Sequence, residues 1–202
     1  MRKAFLGLAL CAAIGSAAVS FADDGPTPAS PLSAIRQFTS GGTIHMDLSA
    51  GDYAIRAVDD EKIHVTGTCR YAEDQARMRA DIRINGGVAR VVTGGPHNNA
   101  HFTIEVPRHS NLVIRLSAGD LQIGRIEGDL DVSSHAGDVN IEVGRASDYR
   151  SVSASVYAGD VTAPEFGDGK SGLFRTIRWS GPGTRRIYAH VGAGDLNLLG
   201  TD

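Results

Sequence analysis

Residues Asn111 to Val143 read NLVIRLSAGDLQIGRIEGDLDVSSHAGDVNIEV, and this stretch decides the fold. Short runs of alternating apolar and polar residues are separated by Gly-Asp pairs, and Gly119, Gly128 and Gly137 are nine residues apart. Alternation with a period of two is typical of half-buried β-strands, and Gly-Asp suits a tight turn. Nine residues therefore supply one strand and one turn, and two such units predict an 18-residue coil with a strand on each of two facing sheets.

The Gly-Asp turn recurs outside this stretch. Ala-Gly-Asp occurs five times in the chain, and Glu-Gly-Asp is a degenerate sixth copy. The predicted structural turn residues are Gly51, Asp52, Gly119, Asp120, Gly128, Asp129, Gly137, Asp138, Gly159, Asp160, Gly194 and Asp195. The predicted inward-facing aliphatic residues are Leu112, Ile114, Leu116, Leu121, Ile123, Leu130, Val132, Val139 and Ile141. This pattern predicts an all-β, single-domain stack of short strands, similar to a β-solenoid or β-roll, whose coils bury one continuous core.

The beginning of the chain predicts export. Residues 1–22 combine a short basic segment, an apolar run and small residues before Asp23, which is the pattern of a signal peptide. Cys11 follows an apolar run and leaves lipid anchoring open as a minor alternative. Residues 23–34 are proline-rich and predict a disordered linker, so the β domain is expected at 35–200. We therefore expect a periplasmic, extracellular or cell-surface protein without a transmembrane segment.

Two local features depart from the repeat. Residues 72–78 contain helix formers and no β-branched residue, so they predict at most one short helix. Gly86-Gly87 lies between two alternating runs and predicts a hairpin.

Charge and cysteine content exclude two classes of protein. If the predicted signal peptide is removed, Arg2 and Lys3 are lost and 18 basic and 23 acidic residues remain, which is a net charge of −5. A negatively charged chain is unsuited to binding nucleic acid. Beyond residue 22 the chain has one cysteine, Cys69, so an internal disulfide cannot form and the core alone must hold the domain. Cys69 is interpreted as a small apolar residue of a strand.

Several motifs of the chain resemble those of a known family. The repeated Ser/Ala-Gly-Asp-Leu/Val turns, Val106-Pro107, the segment Trp179-Ser-Gly-Pro-Gly and the closing His190-Val-Gly-Ala-Gly-Asp-Leu-Asn-Leu are similar to the bacterial putative-adhesin family of unknown function, the DUF4097 or toast-rack type. The resemblance covers roughly residues 35–199. It implies an extracytoplasmic, mostly β-solenoid domain, and it implies no established catalytic residues.

Metal and phosphate sites are not predicted. Calcium β-rolls carry Gly-Gly-x-Gly-x-Asp repeats and offer six to eight oxygens, whereas each turn here has one Gly and one Asp. We interpret these turns as a left-handed Gly followed by an Asp that bonds the backbone of its own turn. His97 and His101 flank a loop rather than sharing a helix face, and the other histidines are isolated. Gly169-Lys-Ser lacks the first glycine of a phosphate loop, because position 164 is proline.

Asp129 and Asp131 are two residues apart and are expected on one face of a strand. Paired carboxylates serve glycoside-cleaving enzymes. The alternative is a solvated strand face, which we favour, so no catalytic residue, cofactor or metal is assigned.

The segment 164–183 interrupts the repeat and is the most aromatic part of the chain. Insertions in solenoids often form the binding face, and aromatic residues with arginines are common in interaction hot spots. The candidate interaction surface consists of Phe174, Arg175, Arg178 and Trp179. The alternative is that the aromatic residues close the open end of the stack.

These observations favour a non-catalytic envelope protein that binds or scaffolds, with an adhesin-like role. Its expected partner is an envelope protein or polysaccharide. A carbohydrate-active enzyme on the same scaffold and a structural component of the envelope stress response remain the alternatives. Neither the ligand nor the oligomeric state follows from the sequence.

Overall fold

The computed structural model of the protein describes residues 31–96, 99–167 and 170–200. Its strands are β1 (Leu32–Gln37), β2 (Thr43–Leu48), β3 (Asp52–Val58), β4 (Lys62–Cys69), β5 (Arg79–Asn85), β6 (Val88–Gly94), β7 (Ala100–Pro107), β8 (Asn111–Leu116), β9 (Leu121–Ile123), β10 (Leu130–Ala136), β11 (Val139–Val143), β12 (Tyr149–Thr162), β13 (Lys170–Ser180), β14 (Arg185–Ala193) and β15 (Leu196–Gly200). The helical segments are α1 (Ala72–Gln75) and the 3₁₀ turns Ala146–Asp148 and Pro164–Phe166. Over these ranges the predicted all-β class with one short helix is confirmed.

The predicted signal peptide, 1–22, and linker residues 23–30 lie outside the described residues. β1 begins at Leu32, so residues 32–34, which were expected in the linker, belong to the sheet. Leu32 and Ala34 pair with β4 and pack against the core, and these apolar alternate positions outweigh the preceding proline. No helix in the described ranges has the length and apolar character of a membrane span.

The described strands form one sheet that wraps around a single core. The front half contains β5, β6, β2, β8, β10, β14 and the first part of β12, and the back half contains β1, β4, β7, β3, β9, β11 and β15. β12 joins the halves, because Tyr149–Ala158 pairs with β14 and Val161–Thr162 with β15. At the other end β1 packs against β5, so the sheet is a nearly closed barrel.

The coils follow the predicted period where they are neighbours in sequence. Leu112 lies opposite Leu130 and Leu121 opposite Val139, which is an offset of 18 residues in both halves. All nine predicted inward-facing aliphatic residues are buried, none more than 4% exposed. Each such burial contributes about 1.5–3 kcal/mol relative to an exposed position. The hairpin at Gly86-Gly87 is also present, between β5 and β6.

The strands do not stack in chain order, unlike in a simple solenoid. β14 and β15 lie between the β10–β11 coil and β12, and β2 and β3 lie between β6–β7 and β8–β9. Neighbouring coils bond through backbone atoms, which are the same in every Ala-Gly-Asp copy. The repeat therefore predicts which residues turn, but it does not determine which coils become neighbours.

Five glycines form a corner between the two halves of the sheet, here called the glycine corner. In spatial order they are Gly51, Gly119, Gly137, Gly194 and Gly159, with φ of 150°, 110°, 108°, 129° and 137°. The N–H of Gly119 bonds to the carbonyl oxygen of Ala136 at 3.0 Å, and that of Gly137 to Ala193 at 2.9 Å. A Cβ on Gly137 would collide with the carbonyl oxygen of Gly119. Glycine is required here because the positive φ strains any other residue and because the neighbouring backbone leaves no room for a Cβ.

Tyr53 shows how a polar group is accommodated in the core. Its ring stacks on Phe102 with centroids 4.9 Å apart. Its hydroxyl is 2.7 Å from the Thr93 hydroxyl and 3.2 Å from that of Ser49. Burial raises the pKa of Tyr53 above its ordinary value, and the hydrogen bonds to Ser49 and Thr93 oppose this only in part.

We expect Gly137→Ala to destabilise the domain by about 3 kcal/mol, through the left-handed backbone and the collision with Gly119. Gly86→Ala is the matched control with positive φ of 58° and no atom within 4 Å of the added Cβ, so it should cost about 1 kcal/mol. Gly87→Ala has neither defect and should be nearly neutral. Urea unfolding measures all three, and equal costs for Gly137 and Gly86 would show that the close contact is unimportant.

We also expect Tyr53 to make stability depend on alkaline pH. Its pKa is raised in the folded state, so its contribution is present below about pH 10 and is lost as the pH rises through the folded pKa. Tyr53→Phe should cost about 1 kcal/mol near neutral pH, through the lost hydrogen bonds, and should flatten the alkaline decline. Urea midpoints measured between about pH 8 and pH 11 test this. Parallel pH curves for the two proteins would contradict it.

Candidate binding surface

β13 is the last strand of the front half. It runs antiparallel to β12, from Ser151 opposite Ser180 to Val161 opposite Lys170. β12 is already paired with β14 on its other side. Among the described strands, none pairs with the outer edge of β13. Such an edge offers backbone N–H and C=O groups to a strand of another molecule.

Three large apolar side chains are exposed on β12 and β13. Phe174 is 70% exposed, Leu173 60% and Tyr157 53%. The rings of Tyr157 and Phe174 meet edge to face with centroids 4.5 Å apart. Phe174 has a φ of 54°, a conformation that costs a non-glycine residue about 1–2 kcal/mol. The exposed Tyr157–Phe174 ring pair makes this region a candidate interaction site, because exposed apolar groups that lie together are typical of such sites.

β13 is also basic. Arg175 and Arg178 are exposed, and residues 170–180 contain no acidic residue. Arginine beside aromatic residues is the composition of protein interface hot spots. The exposed side chains of Tyr157, Leu173, Phe174, Arg175 and Arg178 form what we call the end surface.

Trp179 has a different environment from the other three residues of the sequence-derived surface. Its side chain is half-buried, and its ring lies 5.4 Å from that of Phe166. Phe166 is buried and meets Tyr149 edge to face at 5.4 Å. Trp179 and Phe166 thus close the end of the core, while Phe174, Arg175 and Arg178 face solvent. Within segment 164–183, some aromatic residues therefore close the end of the stack, whereas others are exposed as a candidate interaction surface.

Tyr157 and Leu173 are not part of the interaction surface predicted from the sequence. The run Val152, Ala154, Val156 places the inward positions of β12 and would have placed Tyr157 outward, so that signal was available. Its contact with Phe174 was not available, because it depends on the pairing of β12 with β13.

Four of the five aspartates that follow the corner glycines, Asp120, Asp138, Asp195 and Asp160, are linked in one row along the stack. Asp120 Oδ1 accepts a hydrogen bond from the N–H of Asp138 at 3.2 Å, and Asp138 Oδ1 accepts one from Asp195 at 2.9 Å. Asp195 Oδ1 in turn accepts one from the N–H of Asp160 at 2.9 Å. These carboxylates therefore bond the backbone of the neighbouring coil, whereas the sequence suggested bonds within their own turns.

Gly128 and Asp129 belong to the opposite corner, where the chain passes from β9 to β10. Gly128 has no positive φ, but a Cβ there would collide with the Ser110 carbonyl oxygen. The N–H of Asp129 bonds to Asn111 Oδ1 at 2.9 Å, and Asp129 Oδ1 accepts from the N–H of Arg186 at 2.8 Å. The Glu-Gly-Asp copy of the motif therefore also bonds the backbone of a neighbouring coil, at a second corner.

The carboxylates of Asp129 and Asp131 are both bound by arginine. Asp129 Oδ2 accepts from Arg186 Nε at 2.9 Å and Nη2 at 2.7 Å. Asp131 Oδ1 accepts from Arg115 Nη1 at 3.0 Å. The pair that suggested an enzyme is engaged in ion pairs across neighbouring strands.

The described residues contain no group of three or more His, Cys, Asp or Glu side chains placed to hold a metal ion. His101 lies 3.1 Å from Asp52, and His64 lies 3.1 Å from Glu105. His97 falls outside the described ranges. Cys69 is half-buried at the end of β4 and packs against the core.

Comparison with known proteins identifies a shared fold. No family model matches the sequence, and no curated protein matches it. Among solved structures, the fold is similar to a crystal structure described as a putative cell adhesion protein from Clostridium sporogenes, with a TM-score of 0.51 and 15% identity. The match covers 85% of this chain and 100% of that chain. At this identity the likeness concerns the fold.

We expect Asp138→Ala to cost about 1 kcal/mol, because the N–H of Asp195 loses its acceptor. Asp138→Asn keeps an acceptor oxygen and removes one of a row of like charges, so it should be at least as stable as the original protein. The advantage of Asn should shrink in about 0.5 M salt, which screens surface charges. Urea unfolding at low and high salt measures this, and equal losses for Ala and Asn would contradict the hydrogen-bond role.

Proposed function

We propose that this protein is a non-catalytic, adhesin-like binding module of the cell envelope, exported to the periplasm or the cell surface. The pattern of residues 1–22 supports export. The shared fold with the Clostridium sporogenes protein supports an adhesive role. We also interpret the stacked coils as a variant of the β-solenoid, in line with the resemblance to the toast-rack family. A lipid on Cys11 would tether the module.

The end surface is the observation that carries this proposal. It combines exposed aromatic rings, two arginines and the edge of a long strand at one end of the stack. Binding through a strand edge uses backbone hydrogen bonds for affinity and side chains for specificity. The partner that fits is an envelope protein with an extended, acidic segment, because its carboxylates would meet Arg175 and Arg178. The stack acts as a rigid support that presents this end.

Phe174→Asn tests the surface without a cost in stability. Asparagine tolerates positive φ and removes the aromatic ring, so we expect unchanged or increased stability together with weaker binding to isolated envelopes. The matched control is Tyr71→Asn, which removes a ring that is 50% exposed from the N-cap of α1, where Asn is favoured. Saturation binding of the purified full chain measures both.

We expect Phe174→Asn to raise the apparent Kd by about tenfold or more, as for a hot-spot residue, and Tyr71→Asn to leave it unchanged. Absence of saturable binding to envelopes would contradict the function itself. Equal affinities for the original protein and Phe174→Asn would contradict the role of the end surface.

Protease treatment of intact producing cells distinguishes the two exported locations. Digestion of the protein while a periplasmic control survives would place it on the surface and favour adhesion. Protection of both would exclude an adhesin and leave a periplasmic scaffold. The readout is an antibody blot of the mature chain.

A further inference from the structure

A groove lies on the outer surface of the front half and borders the end surface, because its lining residue Ser153 lies opposite Arg178 in the pairing of β12 with β13. It has a volume of about 450 Å³ and crosses β8, β10, β14 and β12. Its polar and aromatic lining includes Asn111, Asp129, Asp131, Ser153, Arg186 and Tyr188. Ligand pockets typically have volumes of roughly 300–1,000 Å³, so this groove is large enough for a small ligand or part of a chain.

The charges of this groove are paired. Arg186 makes three hydrogen bonds to Asp129, through its backbone N and through Nε and Nη2. Arg115 holds both oxygens of Asp131, at 3.0 and 3.4 Å. An anionic or cationic ligand would have to compete with one of these pairs, and an apolar ligand would remove them from water without compensation.

Tyr188 supplies an apolar platform within this polar surface. It is 51% exposed and lies between Asp131 and Ser153 in the register of the sheet. The face of an aromatic ring carries partial negative charge and attracts polarised C–H groups. A sugar ring has such C–H groups on its faces and hydroxyl groups around its rim. Its hydroxyls can donate to the carboxylate oxygens and accept from the guanidinium N–H groups without breaking either ion pair.

The floor of the groove is preorganised. Leu130 lies opposite both Leu112 and Ile187, so the three central strands are held in register by buried residues. The N–H of Asp129 bonds to Asn111 Oδ1 at 2.9 Å, which fixes the orientation of that amide. A site whose side chains are already positioned loses little conformational entropy on binding.

We infer that this groove binds a neutral oligosaccharide, with one sugar ring stacked on Tyr188 and its hydroxyls bonded to the Asp129–Arg186 and Asp131–Arg115 pairs. The groove crosses four adjacent strands, which lie about 4.8 Å apart, so an oligosaccharide chain fits better than a single sugar. This site adjoins the end surface but rests on different residues.

The experiment is an NMR titration of the purified full chain. The neutral probes are maltohexaose, cellohexaose and chitohexaose, and the charged probes are hexagalacturonic acid and a chitosan hexamer. We expect at least one neutral probe to give saturable shifts of amides in β8, β10, β12 and β14. Saturation by the charged probes alone, or shifts confined to other strands, would overturn the inference, as would the absence of any saturable shift.

Substitutions at Tyr188 and Val113 test which residues of the groove contact the oligosaccharide. Tyr188→Ala should raise the Kd about five- to tenfold, and Tyr188→Phe should keep most of the affinity because the ring remains. Tyr71→Ala is the matched control, with a ring 50% exposed outside the groove, and should have no effect. If Tyr188→Ala unfolds, Val113→Arg tests the same groove, because the long side chain would fill it beside Asp131. Unchanged affinity in folded Tyr188→Ala or Val113→Arg would overturn the inference.

Discussion

The close approach of backbones at the glycine corner is the constraint on which the rest of this structure depends. Gly119 and Gly137 lie so near the carbonyl groups of the adjacent coils that no side chain fits. The same contacts bring each glycine N–H to an alanine carbonyl of the next coil. Because the corners stack directly, the alternating strands on either side of them remain in phase. The inward aliphatic residues of successive coils then meet in one core, which no single coil could form alone.

The aspartate row extends this constraint. Each bonded carboxylate accepts a hydrogen bond from the next coil, so the corner is held by side chains as well as by backbone. At the opposite corner, Asn111 Oδ1 accepts a hydrogen bond from the N–H of Asp129, and Asp129 Oδ1 accepts one from the N–H of Arg186. Turn residues that look like candidate metal ligands in the sequence therefore have a structural use. The two proposed binding surfaces use side chains that do not take part in this stacking.

Two such surfaces differ in chemistry. The end surface has exposed rings and arginines without acidic residues on β13, and it includes a strand edge with which none of the described strands pairs. The groove on the front half has paired charges, a single aromatic platform and a floor already bonded on both sides. The first suits an acidic extended segment and the second a neutral polyhydroxylated chain. One rigid scaffold can present both because each depends on outward positions of strands whose inward positions form the core.

The sequence by itself determined the all-β class, the buried ladder and the 18-residue register between β8 and β10, because these follow from local alternation and from glycine. It also determined the Gly-Asp turns except Gly159-Asp160, which lies within the continuous strand β12. It also identified Phe174, Arg175 and Arg178 as exposed candidates within an irregular segment. Only the tertiary structure decided that β14 lies between β10 and β12, and that Tyr157 meets Phe174. The groove around Tyr188 likewise joins residues far apart in the chain. Identical corner motifs bond equally well to one another, so the choice of neighbours depends on the packing of the whole chain.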